Sequence, residues 1–258
     1  MQKWQMTSNL ETGGPRRLAV ISGSYGNVPA LEAAITDARA EGCTDFAFLG
    51  DAIGCCGHSN EVIGMIRTHF PILVAGNHEQ QAAAGELTCG CGYASAEDER
   101  ISCLAFERAC EDLTDENRVW LGTWPDLVRL EIGSCRLLLV HGSPDQTNEF
   151  LYNSTLDDDR IVRWLDEHDV DAIIGTHTGL PWHRPLPNGT WMANAGVVGK
   201  PDNDGDPAVH YGIVDCTGGA PSFALRRISY DHTAWADQLD TEGIDTVFTE
   251  PLRTGWWT

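Results

Sequence analysis

Short apolar runs that end in glycine-bearing loops recur along the first half of the chain. Leu18 to Ile21 is such a run, branched and apolar enough for a buried strand, and Ser22 leads into the loop Gly23-Ser24-Tyr25-Gly26-Asn27. From Val28 the apolar positions Leu31, Ala34, Ile35 and Ala38 recur at helical spacing until Gly42, and Phe46 to Leu49 reads as the next strand. One β-α-β unit results. The pattern repeats with a loop over 51–59, a helix carrying Val62, Ile63 and Ile66, a strand over 72–75 and a loop opening at Gly76. A Gly- and Cys-rich excursion over 85–96 precedes helical stretches near 101–110 and 117–121.

The second half reads differently. Residues 127–132 alternate polar and apolar, 136–140 are strongly apolar, and Gly133-Ser134 lies between them, which predicts a hairpin. A helix over 158–168 leads to a strand over 171–174, and further strands fit 191–194, 209–214 and 222–228. Alternating units followed by a strand-rich half predict an α/β fold of two packed sheets with helices outside. The absence of a repeat or long linker predicts one domain over 17–258, and the polar residues 1–16 read as a disordered tail.

Composition narrows the function. Of 258 residues, 38 are acids and 17 are Lys or Arg, giving a net charge of −21, and Lys3 and Lys200 are the lysines. No basic stripe exists to neutralise phosphates, so a nucleic-acid polymer is not expected as a partner. The apolar runs fall short of the roughly 20 residues that a membrane span needs, and the polar N-terminus lacks a secretory signal's apolar core. A cytoplasmic location with reduced thiols is therefore expected. Nine cysteines, an odd number, argue the same way.

Four loops carry metal-competent side chains just after expected strands: Asp51, the pair Asn77-His78, His141 and His177. Strand ends in α/β proteins converge on one crevice. Carboxylate, amide oxygen and imidazole together suit manganese, iron or zinc, so Asp51, Asn77, His141 and His177 form a candidate four-ligand site. Taken singly, each residue is as well explained by a cap, a turn or a buried imidazole.

The order of the loops is more specific. The segments Ile21-Ser22-Gly23-Ser24-Tyr25-Gly26-Asn27, Gly50-Asp51-Ala52-Ile53-Gly54, Gly76-Asn77-His78-Glu79, Val140-His141-Gly142-Ser143-Pro144 and Thr176-His177-Thr178-Gly179-Leu180-Pro181-Trp182 follow one another. In that order the chain resembles the calcineurin-like metallophosphoesterases, especially the small bacterial phosphodiesterase and diadenosine-tetraphosphatase-like branch. The likeness runs from Arg17 to Tyr230. It implies a four-layer sandwich of two mixed sheets between helices, and two divalent ions bridged by Asp51 and a hydroxide that attacks phosphorus. His78 is implied as the group that meets the phosphate or protonates the leaving oxygen.

The chain departs from that family at three positions. Its first motif carries an aspartate and a histidine where Gly23 and Tyr25 stand here, and its fifth ends in a second histidine where Gly179 stands. All three serve one metal, while the ligands of the other survive. One divalent ion per chain is thus expected, with weak or atypical hydrolysis of a phosphomonoester or nucleotide-like phosphodiester. The alternatives are a non-catalytic relative that binds a metal and a small phosphorylated ligand, and a mononuclear iron or manganese enzyme built on two histidines and a carboxylate. Cys55, Cys56 and His58, with the Cys89-Gly90-Cys91 segment, are auxiliary candidates that can rebuild a site, and Trp182 is a candidate for the pocket wall. Trp256 and Trp257 are expected to dock onto the domain or onto a second copy of the chain.

Overall fold

Side chains alternate across β2 (Arg17–Ile21) and enter two different cores. Leu18 and Val20 join one cluster, Ala19 and Ile21 another, as the two faces of a strand require. This computed structural model describes residues 4–6, 16–93 and 95–257. Around β2 lie β1 (Trp4–Met6), α1 (Val28–Ala40), β3 (Asp45–Phe48), α2 (Ser59–His69), β4 (Ile72–Leu73), α3 (Asn77–Ala84), α4 (Ala96–Glu111) and α5 (Asp115–Leu121). The second half holds β5 (Leu127–Ile132), β6 (Cys135–Val140), α6 (Asp158–His168), β7 (Ala172–Gly175), β8 (Trp182–Pro185) and β9 (Trp191–Asn194). It ends with β10 (Val209–Asp215), β11 (Ser222–Ile228), α7 (His232–Thr241) and α8 (Thr246–Thr254).

Among the described residues the strands form two mixed sheets, ordered β1-β5-β6-β7-β9-β8 and β11-β10-β2-β3-β4. The core between them joins Leu18, Val20 and Leu49 to Val128, Leu137, Leu139 and Ile174. Outside the second sheet, Ile21 and Phe48 pack on Leu31 of α1, Val62 of α2 and Phe106 of α4. Outside the first, Leu138, Val140 and Ile173 pack on Ile161, Trp164 and Leu165 of α6. Helix, sheet, sheet and helix layers result, the fold class expected from the sequence.

Several elements differ from expectation. Residues 1–3 and 7–15 of the expected tail lie outside the described residues, while Trp4–Met6 pairs in parallel with β5 through Trp4 and Leu127. The loop expected after Gly76 winds into α3, because the Glu79 carboxylate takes the Gly76 N–H and caps the first turn. Helices α7 and α8 were not foreseen. Asp231 caps α7 through Ala234 N–H, and Trp235, Ala236 and Leu239 bury one face against Cys56 and Leu252. No helix among the described residues is long and apolar enough to cross a membrane.

Candidate metal centre

Strand ends deliver the site. Asp51 lies beyond β3, Asn77 and His78 open α3 just past β4, His141 follows β6 and His177 follows β7. Strands β3 and β4 run parallel, as do β6 and β7, so these loops leave their sheets on the carboxyl side where crevices form. Asp51 and His177 adopt left-handed backbone conformations, with φ of 57° and 63°. Such strain, about 1–3 kcal/mol per residue, persists where the surroundings over-determine the geometry.

Three of the four candidate ligands come together. His141 Nε2 lies 3.3 Å from Asp51 Oδ2 and 3.1 Å from His177 Nδ1. One ligand-competent atom from each of Asp51, His141 and His177 lies within 4.8 Å of the others, and all three residues are buried. His141 Nδ1 lies 2.6 Å from the Leu49 carbonyl. A carbonyl can only accept, so Nδ1 carries the proton and Nε2 faces the cluster, as in histidines that hold metals. Asn77 donates through Nδ2 to the Cys89 carbonyl at 2.8 Å, whereas its buried Oδ1 has no partner. A buried amide oxygen without a partner, one residue before His78 whose N–H lies 3.4 Å from Asp51 Oδ1, is of the kind that a divalent ion of borderline hardness accepts alongside carboxylate and imidazole.

Charge tells the same story. Burial opposes ionisation of Asp51, but the imidazoles of His141 and His78 outweigh it and hold the carboxyl well below its ordinary range. Burial disfavours a charged His141, yet the Asp51 carboxylate raises it. His177 falls to about 3 through burial and the adjacent His141, with Asp51 pulling the other way. The field that draws one proton to the Asp51–His141 pair also draws a cation.

Glu79 holds two of these loops together, a role the sequence analysis missed. Fully buried, it accepts at 2.8 Å from the backbone N–H groups of Asp51 and Gly76 through Oε2 and of Ala52 through Oε1. Its burial and the Asp51 charge raise its pKa. A glutamate three residues beyond the Gly76 cap was the available signal.

At the three departing positions, other groups fill the space. Gly23 has φ +53°, and a Cβ built there falls 2.4 Å from Val197 Cγ1. At Gly179 the nearest neighbours of such a Cβ are Val197 Cγ2 at 3.2 Å and Lys200 Cε at 3.5 Å. Tyr25 points its hydroxyl at Asp51 Oδ2 from 3.5 Å, and burial first, then Asp51, raises the phenol well above its usual value. It stays protonated. Introducing an aspartate as Gly23→Asp is therefore expected to destabilise the fold by about 1–3 kcal/mol through overpacking, without adding a bound ion. Thermal unfolding and metal analysis of that variant check both parts.

The cluster faces a cavity of about 300 Å³, lined by Tyr25, Asp51, His78 and His177 and walled by Tyr93, Phe150, Tyr152, Phe248 and Trp257. Lys200 also lines it, its Nζ 5.6 Å from the Tyr25 ring centre and 4.0 Å from that of Trp257. Burial lowers this amine's pKa, against the pull of Cys55 and Asp51. Sequence reasoning did not assign Lys200, although the scarcity of lysine singled it out. Of the auxiliary candidates, Cys55 lines the cavity. Cys56 is buried against α7 and α8, and Trp182 packs in the α6 core with Nε1 on the Leu151 carbonyl. Trp257 docks, donating from Nε1 to the Pro201 carbonyl at 2.8 Å, while Trp256 is exposed.

His58 sits at the α2 start and pairs with Glu242 at 2.8 Å and Glu61 at 3.2 Å. Burial lowers its pKa, but the two carboxylates win and raise it. Its contribution to stability is thus full below about pH 6.5 and fades as pH rises through the folded-state value. His58→Gln is expected to cost more stability at about pH 6 than at about pH 9; unfolding curves at the two values check this.

The expectation of reduced thiols is corrected at one pair. Cys89 and Cys91 are joined as a disulfide, and the remaining seven cysteines are free. Gly90, at φ +63°, lets the chain double back so that the two sulfurs meet.

The fold and the cluster together define a class. The calcineurin-like phosphoesterase profile matches residues 16–198, and the chain belongs to that family. A metallophosphoesterase from Sphaerobacter thermophilus is similar in structure, with a TM-score of 0.72 at 25% identity over 94% of this chain and 100% of the other. The hypothetical protein PH1004 from Pyrococcus horikoshii OT3 shares the fold, with a TM-score of 0.74 at 19% identity over 94% and 99% of the two chains. The uncharacterized protein MJ0912 of Methanocaldococcus jannaschii is 25% identical over 143 residues, 55% of this chain and 56% of the relative. The match thus spans about half the length of this curated relative.

Proposed function

We propose that this protein is a metal-dependent phosphoesterase working from one ion, held by Asp51, Asn77, His141 and His177, on a phosphomonoester or nucleotide-like phosphodiester. The observation that carries this reading is the convergence of Asp51, His141 and His177, to which the buried, unpartnered Oδ1 of Asn77 adds a fourth candidate donor. When bound, manganese, iron or zinc there supplies a Lewis acid and a water of lowered pKa. The chain's own residues do the rest. Lys200 brings an ammonium to the cavity, where it attracts a phosphate and partly replaces the positive charge lost with Gly23, Tyr25 and Gly179. Tyr93, Phe150 and Tyr152 offer aromatic faces to a base or aryl group. His78 anchors Nδ1 on the Ile53 carbonyl at 2.7 Å, which leaves Nε2 as its nitrogen for a phosphate or leaving oxygen.

With one ion rather than two, turnover is expected to be slow. Hydrolysis of p-nitrophenyl phosphate and bis(p-nitrophenyl) phosphate, measured before and after chelation and after return of manganese, iron or zinc, tests the reading. Turnover that disappears with chelation and returns with one of the metals supports it. An ion and bound phosphate without turnover would instead make the chain a binding relative, the reading that the loss of three ligands favours.

A further inference from the structure

We infer that, in the reduced chain, His78, Cys89 and Cys91 form a second metal site, selective for a thiophilic divalent ion such as zinc. Ligand-competent atoms of these three buried residues lie within 4.8 Å of one another. His78 Nδ1 donates to the Ile53 carbonyl, so the Nε2 lone pair faces Cys91 Sγ at 3.6 Å. This repeats the arrangement that aims His141, and backbone-anchored imidazoles are the usual partners of metal sites.

Within the disulfide both sulfurs already accept N–H groups. The Cys91 backbone N–H donates to Cys89 Sγ at 3.2 Å, and Asn77 Nδ2 donates to Cys91 Sγ at 3.3 Å. N–H groups directed at sulfur stabilise thiolates, which are the forms that bind metals. Two thiolates and a neutral imidazole neutralise a divalent ion, a balance that buried surroundings demand. Cys91 and His78 line the cavity, which gives an ion its way in and leaves a fourth position open to water or a phosphate oxygen.

The site exists when the disulfide is opened. Two electrons and two protons, supplied by a phosphine and water with oxidation of the phosphine to its oxide, convert the Cys89–Cys91 bond to two thiols. Binding then releases the two protons. This site does not rest on hydrolysis at the Asp51 centre, and an ion there takes Nε2 of His78 away from any catalytic role.

The test is equilibrium dialysis of the full chain against zinc or cobalt(II), with and without a phosphine reductant, followed by elemental analysis and absorption spectroscopy. Reduction is expected to add one ion per chain and, with cobalt, a thiolate-to-metal charge-transfer band. Cys91→Ser and Cys89→Ser each lose the added ion and the band while keeping the ion at Asp51, whose retention reports an intact fold. His141→Ala does the reverse, so a failure of the Asp51 centre stays distinguishable. Equal ion content in the reduced and oxidised chains, or a band that survives both serine variants, would overturn the assignment.

Discussion

Replacing His141 by alanine is expected to remove both the bound ion and phosphoester turnover. Nε2 of this ring is the atom that Asp51 and His177 share, at 3.3 and 3.1 Å. Losing a partner that merely orients a ligand weakens metal binding roughly 10–100-fold, so losing the ligand itself is expected to cost about 100-fold or more. The Leu49 carbonyl also loses its donor, about 1–3 kcal/mol of stability. A folded variant with empty metal analysis and no turnover is the expected result. Undiminished turnover would place the chemistry elsewhere.

Replacing Glu79 by alanine is expected to damage the fold and the site together. Three buried N–H groups, those of Asp51, Ala52 and Gly76, lose their acceptor. At about 1–3 kcal/mol for each unsatisfied group, the loss is on the order of 3 kcal/mol or more, or about 10 °C in melting temperature for a chain of this size. Metal affinity falls with it, because the Asp51 loop is no longer tied to α3. Glutamine keeps one acceptor but turns an amide N–H toward a backbone N–H, so it rescues only part. Calorimetry on both variants checks the order wild type, Gln, Ala; an unchanged melting temperature in the alanine variant would contradict the bracing role.

Layering was legible in the sequence because short continuous apolar runs mark strands buried on both faces, as in β2, β3 and β6, and helical spacing marks the helices between them. The candidate ligands were legible because Asp51, Asn77, His141 and His177 each follow a strand, and the strand ends bring Asp51, His141 and His177 together. Other features depended on distance in space rather than on spacing. Glu79 looks like an ordinary first-turn acid until the Asp51 loop folds over it. Lys200 gains meaning from Tyr25, 175 positions earlier, and from Trp257 at the other end of the chain. Helix α3 was hidden by its polar, loop-like start, and Cys89-Gly90-Cys91 does not match the two-residue spacing of common structural zinc pairs. Its pairing with His78 is a product of the fold.

The most direct test of the central claim is a manganese titration of the chelated chain, disulfide intact, with bound ion and phosphoester turnover read on the same samples. The account predicts that turnover rises with the first equivalent and saturates there, and that His141→Ala binds no ion and shows no turnover. Turnover that appears only with a second equivalent would mean that other ligands rebuild the missing site beside Gly23 and Gly179. Full turnover in the metal-free chain would contradict the account outright.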